Sequence, residues 1–124
     1  MFPNTITHDV GTLIMFAVRR ALSDPEALRA LVAGLIDRGE VEAGLVDAAD
    51  PLGFLRGRSD IASVVEAAYR FCRHEPGAQV VLTGTGDARH LEANIAAILA
   101  PPLAAEVLAR LEALFGTVDS ISGN

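Results

Sequence analysis

The sequence contains no lysine; its ten basic residues are all arginines. Chemistry that requires a lysine amine therefore lies outside this chain. Tryptophan is absent and aromatic residues make up only 5%, so a large aromatic core is not expected. The single cysteine, Cys72, allows no intramolecular disulfide and no metal cage built on several thiols. No basic stretch has the length of a nucleic-acid patch; the densest spots are Arg19–Arg20 and Arg56–Arg58. No apolar stretch reaches the roughly 20 residues needed to span a bilayer. The start, Met1-Phe2-Pro3-Asn4-Thr5, lacks the basic and apolar regions of a signal peptide. The expectation is a cytoplasmic protein with no nucleic-acid and no membrane partner.

What is present is globular in character. The 124 residues are 51% hydrophobic and 21% charged, with a net charge of −6. Much of the apolar content is alanine, which suits closely packed helices.

Phe2 to Asp9 reads as an irregular lead-in, with Pro3 and Asn4 as turn formers. Thr12 to Val18 is a continuous apolar run, the pattern of a strand buried on both faces of a parallel sheet. Ser23-Asp24-Pro25-Glu26 reads as a helix start with Ser23 as N-cap and Glu26 in the capping-box position. Leu28, Leu31, Val32, Leu35 and Ile36 follow at helical spacing, and Gly39 closes the helix. Residues 40–58 read as a loop, with one short helix around Ala43–Val46 and solvated acids at Glu42, Asp47 and Asp50.

Ser59 or Asp60 is the expected cap of the next helix, whose stripe is Ile61, Val64, Val65, Ala68 and Cys72 with Tyr69 beside it. Glu75-Pro76-Gly77 ends it. A second strand, Gln79 to Thr83, runs through the turn Gly84-Thr85-Gly86 into a helix capped by Asp87, with Leu91, Ile95 and Ile98 as its inner face. Pro101-Pro102 breaks the chain. A last helix carries Val107, Leu108, Leu111, Leu114 and Phe115 and stops at Gly116. In the polar tail, Ile121 is the one large apolar residue.

Two strands joined through helices form a crossover unit, so they are expected to be parallel. A two-stranded parallel sheet has two open edges and little core. The chain is therefore expected to be part of a larger sheet, or to complete its sheet by association, including self-association through the open edges.

The segment from Val80 to Asp87 carries the most chemistry. A strand feeds a glycine turn and then a helix N-terminus, where backbone N–H groups and the helix dipole suit an anion. The same junction occurs in many α/β proteins merely as a turn. Asp87 works against a phosphate there, because a carboxylate cap occupies the donors that a phosphate needs.

Three runs in order, Ala67 to Cys72 with Pro76-Gly77, Val80 to Gly86, and His90-Leu91-Glu92-Ala93-Asn94, resemble the end of an aldo/keto reductase. Pro102-Leu103 and the apolar run from Leu108 to Phe115 are similar to the extra helix that follows the barrel in that family. Thr12 to Arg19 sits where the seventh strand belongs. The resemblance covers residues 10 to 120. It implies an α/β fold in which residues 1–124 are the C-terminal portion of a (β/α)8 (TIM) barrel: the seventh and eighth strands, parallel, with four to five helices. It also implies an NAD(P)(H)-dependent oxidoreductase that interconverts a small carbonyl substrate and its alcohol, with NADP(H) the family's cofactor and NAD the other option.

The resemblance assigns roles by position. Phe16 matches an aromatic that stacks on the nicotinamide ring. Ala17, Arg19 and Arg20 belong to the loop beside the pyrophosphate. Gly84, Thr85 and Gly86 approach the adenosine phosphate, and His90 and Asn94 match contacts to the phosphate or adenine. The family's Lys, Ser or Arg near Gly86, and its Glu at the position of Ala93, are missing; Arg89 and His90 substitute for them only in part, so NADP over NAD is an expectation from the family and not from these residues. The family's Asp, Tyr, Lys and His acid–base set lies before anything in this chain, so no catalytic residue and no metal ligand is assigned. On this reading Met1 opens the chain in mid-barrel and the chain alone is inactive.

Plainer readings stand beside these. Phe16 suits core packing, Arg19 and Arg20 suit a solvated strand end, and Cys72 suits a small core hydrophobe. Tyr69 reads as a mid-helix core residue, and His8 and His74 as surface histidines. The functional alternative is a non-catalytic nucleotide- or phosphate-binding module, or an oligomeric interaction module.

Overall fold

The computed structural model describes residues 2–120; Ile121 of the polar tail lies outside them. In chain order the elements are α1 (Phe2–Thr7), β1 (Leu13–Ile14), α2 (Arg20–Ser23), α3 (Pro25–Asp37), a 3-10 turn (Gly53–Leu55), α4 (Val64–His74), β2 (Val80–Val81), α5 (Ala88–Leu99) and α6 (Ala105–Phe115). Helices take up about half of the chain. The chain divides into two compact units, Met1–Val18 with Val65–Leu103, and Arg19–Val64 with Ala104–Asn124.

The first unit holds the sheet. β1 and β2 pair in parallel, Leu13 opposite Val80 and Ile14 opposite Val81. The N–H groups of Val80 and Leu82 donate to the carbonyls of Thr12 and Ile14 at 3.2 and 2.9 Å. The expected parallel crossover is therefore present, in an open α/β sheet. Both strands are shorter than their apolar runs. β1 stops before Phe16, whose φ of 59° turns the chain out of the extended region.

Burial of the strands on both faces is not observed. Side chains alternate along a strand. Ile14 and Val81 point to one face and pack against a cluster of Ala17, Tyr69 and Ala97, with Val65, Cys72 and Ile98 alongside. Leu13, Met15, Val80 and Leu82 point to the other face and are 51%, 58%, 47% and 45% exposed. Among the described residues, α4 and α5 cover one face only.

α4 begins at Val64, so neither Ser59 nor Asp60 caps it; the Asp60 carboxylate instead accepts from the Arg58 guanidinium at 2.9 and 3.2 Å. Its buried residues are Ala67, Tyr69 and Arg70. α5 is capped by Asp87 as expected, with Arg89 N donating to its carboxylate at 2.8 Å. Its inner face is different from the expected one. Ala97 is buried and Ile98 half-buried, whereas Leu91 and Ile95 are exposed. The small Ala97 lies in the cluster with Tyr69, Ile98 packs beside it, and Leu91 and Ile95 turn outward.

The lead-in is helical rather than irregular. α1 is held by the Thr5 and Thr7 hydroxyls, which donate to the carbonyls of Phe2 and Pro3 at 2.8 Å each. A glycine is needed at Gly77, which has a φ of 94°, and a Cβ there would lie 3.1 Å from Phe2 and Ile6.

In the second unit the N-cap of α3 is Asp24, one residue beyond the expected Ser23. Its carboxylate accepts from the N–H groups of Glu26 and Ala27 at 3.0 and 3.2 Å. Ser23 closes α2 by donating to the Arg20 carbonyl. Pro25 takes the first helical position, where its missing N–H costs nothing. Leu28, Val32 and Leu35 are buried as the spacing requires. Gly39, at φ 73°, ends the helix, with Gly39 N and Glu40 N donating to Ile36 and Leu35. Ala43–Val46 is a turn, not a helix; the helical turn of this loop is at Gly53–Leu55. Of the loop's acids, Glu42 and Asp47 are exposed, and Asp50 is half-buried and paired with Arg56. α6 buries Val107 and Leu114, and Arg110 lies over the Phe54 ring at 4.6 Å.

Candidate functional site

Because β1 and β2 are parallel and in register, both end on the same side. Ligand sites in α/β proteins lie beyond the carboxyl ends of the strands. Phe16 follows Ile14 by two residues, and Thr83 follows Val81 by two, so both stand at this edge. The Phe16 side chain is 60% exposed, which rules out the core-packing reading. Its positive φ is a conformation that costs a non-glycine residue on the order of 1 kcal/mol, and such outliers cluster at ligand sites. Ala17 is buried in the cluster beneath.

On the β2 side the Thr83 hydroxyl joins three elements. It lies 2.9 Å from the Tyr69 hydroxyl on α4 and accepts from Asn94 Nδ2 on α5 at 2.8 Å. Beyond it, Gly84, Thr85 and Gly86 are exposed. A Cβ added at Gly84 or Gly86 would meet nothing within 4 Å, so the backbone there is open to close approach.

At the start of α5, Asp87 dominates. Its carboxylate accepts from Arg89 N at 2.8 Å and from the Arg89 guanidinium at 3.3 and 2.9 Å. The Arg89 side-chain hydrogen bond, with the backbone N–H groups behind it, holds the Asp87 carboxyl below its usual range. The same pair pushes Arg89 up. His90 is exposed.

The first unit thus contains Phe16, Ala17, Gly84, Thr85, Gly86, Arg89, His90 and Asn94. Arg19 and Arg20 belong to the second unit, where Arg19 precedes α2 and Arg20 forms an exposed ion pair with Asp24 at 3.8 Å. The Tyr69–Thr83 contact was not legible in the sequence, because the two residues are 14 apart and neither position carries a local signal for the other.

The residues present fit a nicotinamide dinucleotide at one end better than at the other. An exposed aromatic and an open glycine turn suit a ring and a closely approaching phosphate. The donors expected to grip a further phosphate are already engaged: Arg89 by Asp87, and Asn94 by Thr83.

Other sites are few. Among the described residues no three His, Cys, Asp or Glu side chains group as metal ligands. Burial pushes the Cys72 thiol up, with the Glu75 charge adding to it. His8 and His74 are exposed and lie 2.8 and 2.9 Å from the carbonyls of Asn4 and Ala100. Among the described residues no helix is long and apolar enough to cross a membrane. Comparisons of the chain with protein-family models, with curated proteins and with solved structures return no match.

Proposed function

We propose that this chain is a C-terminal portion of an NAD(P)(H)-dependent aldo/keto reductase barrel and contributes part of the cofactor-binding edge. The observation that carries the reading is the form of the sheet. Two parallel strands have helices on one face and bare apolar side chains on the other, with Phe16 and Gly84–Gly86 at their carboxyl ends. A slice of a barrel has these properties: helices outside, apolar layers inside, and the ligand edge at the strand ends.

In this reading Phe16 packs against the nicotinamide, and the backbone of Gly84 to Gly86 borders a phosphate. The cofactor supplies hydride to a carbonyl carbon. The chain itself has no lysine for the family's acid–base set, so it binds without turning over. A thermal-shift titration with NAD and NADP tests this. The expected result is a rise in melting temperature with a dinucleotide that Phe16→Ala reduces at least tenfold in apparent affinity. No shift with either dinucleotide at millimolar concentration refutes the binding site. Carbonyl-dependent NADPH oxidation by the pure chain refutes its inactivity.

The second reading is a non-catalytic interaction module. The capture of the Arg89 guanidinium and the Arg89 N–H by Asp87 favours it, because that pairing leaves fewer donors for an anion. It predicts no response to nucleotide.

A further inference from the structure

We infer that Tyr69 is a positioning residue: through the Thr83 hydroxyl it fixes the Asn94 carboxamide for the adenosine half of a dinucleotide. The inference rests on the cofactor reading above and names a residue which that reading leaves without a role. Tyr69 is buried on α4 in the cluster with Ala17 and Ala97. A phenol hydroxyl taken out of water needs a hydrogen-bond partner. Its partner is Thr83, 2.9 Å away, just past β2 and next to the open turn at Gly84. Asn94 Nδ2 donates to the same Thr83 oxygen at 2.8 Å. Among the described residues the half-buried Asn94 side chain makes this hydrogen bond alone.

Two properties make this chain of contacts a positioning device. The first is rigidity. Ala97, three residues beyond Asn94 on α5, packs in the Tyr69 cluster, so the helix that carries Asn94 and the ring that anchors it are held together. Thr83 is β-branched and stiff at χ1, which transmits the anchor without slack. An unanchored Asn94 would sample several rotamers, and ordering it on binding would cost affinity. The second is chemistry. With Nδ2 turned to Thr83, the carboxamide keeps Oδ1 and one N–H for a ligand. An edge that both accepts and donates matches a nucleobase edge, whereas a dinucleotide phosphate only accepts.

Titration of the full chain with NADPH and NADH, followed by the fluorescence of the cofactor, tests this. Tyr69→Phe removes only the hydroxyl and should weaken binding roughly threefold to tenfold, the range for ordering one polar side chain. In an Asn94→Ala background the same substitution should have no further effect, because the group it positions is gone. Thr83→Val should weaken binding as Tyr69→Phe does, and Thr83→Ser, which keeps the hydroxyl, should restore it. Relaxation of the Asn94 side-chain amide reads the positioning without ligand: its order parameter should fall in Tyr69→Phe. An affinity or an order parameter equal to the parent's in Tyr69→Phe overturns the proposal. A loss that persists in full in Asn94→Ala also overturns it, and makes the Tyr69 hydroxyl a general support of the fold. A parent chain that binds neither dinucleotide overturns the cofactor reading itself, and this proposal with it, a result seen before any variant is made.

Discussion

Arg70 is a buried cation whose removal has a predictable cost. Its side chain is 4% exposed in the structure. Nε donates to the Pro101 carbonyl at 2.8 Å, Nη2 to the Pro102 carbonyl at 3.1 Å, and Nη1 to Glu66 Oε1 at 2.9 Å. The guanidinium therefore secures the segment after α5, where two successive prolines lack N–H groups and only their carbonyls can be held. A hydrogen bond to a charged group is worth about 1.5–3 kcal/mol. Three such bonds do not add in full, because Pro101 and Pro102 are exposed and their carbonyls regain water. Loss of one partner of a fully buried pair costs about 3–5 kcal/mol; Glu66 is 20% exposed and keeps some water, so Arg70→Met is expected toward the lower end of that range. Arg70→Lys keeps the charge but cannot span both carbonyls and Glu66, and should cost about half as much. Urea unfolding followed through Tyr69 fluorescence reads this locally, since Tyr69 is the chain's one tyrosine and tryptophan is absent. With a slope of about 1–3 kcal/mol per molar urea, the midpoint of Arg70→Met falls by roughly 2 M. A variant within about 1 kcal/mol of the parent would refute the claim that this side chain holds the segment.

Two further predictions concern the strand-end edge. Thr83→Val removes the hydroxyl shared by Tyr69 and Asn94 at nearly constant volume, and should destabilise the first unit by about 1–3 kcal/mol; an unchanged melting curve would mean that water replaces the hydroxyl at no cost. Asp87 has its folded pKa lowered, by the Arg89 hydrogen bond first. Its contribution to the α5 cap is thus complete above its ordinary value of 3.8 and lost as pH falls through the lower folded value. The Arg89 amide resonance should titrate below pH 3.8, and Asp87→Asn should abolish that titration; a midpoint above 3.8 would contradict the pairing.

The sequence by itself determined the features that depend on local chemistry. The Asp87 cap, the positive φ at Gly39, the stop at Pro101-Pro102 and the extent of α6 all follow from which backbone groups a few neighbouring residues can satisfy or must leave free. The parallel crossover was also legible, since strand, helix and strand in that order leave little choice of direction. Where two capping residues stand side by side, at Ser23 and Asp24, sequence reasoning chose wrongly by one position, because both can cap and only geometry selects the carboxylate that reaches two N–H groups.

What only the tertiary structure decided is which apolar side chains have partners. Periodicity shows that Leu91, Ile95 and Ile98 recur on α5, but not that Ala97 and Ile98 face the cluster while Leu91 and Ile95 are exposed. The apolar runs of both strands read as doubly buried, although one face is bare. The Thr83 hydroxyl joins residues from α4 and α5, and Arg70 reaches carbonyls 31 and 32 residues away. Hydrophobicity along a chain records a need for burial, whereas the burial itself requires another surface, and that surface is set by contacts distant in sequence.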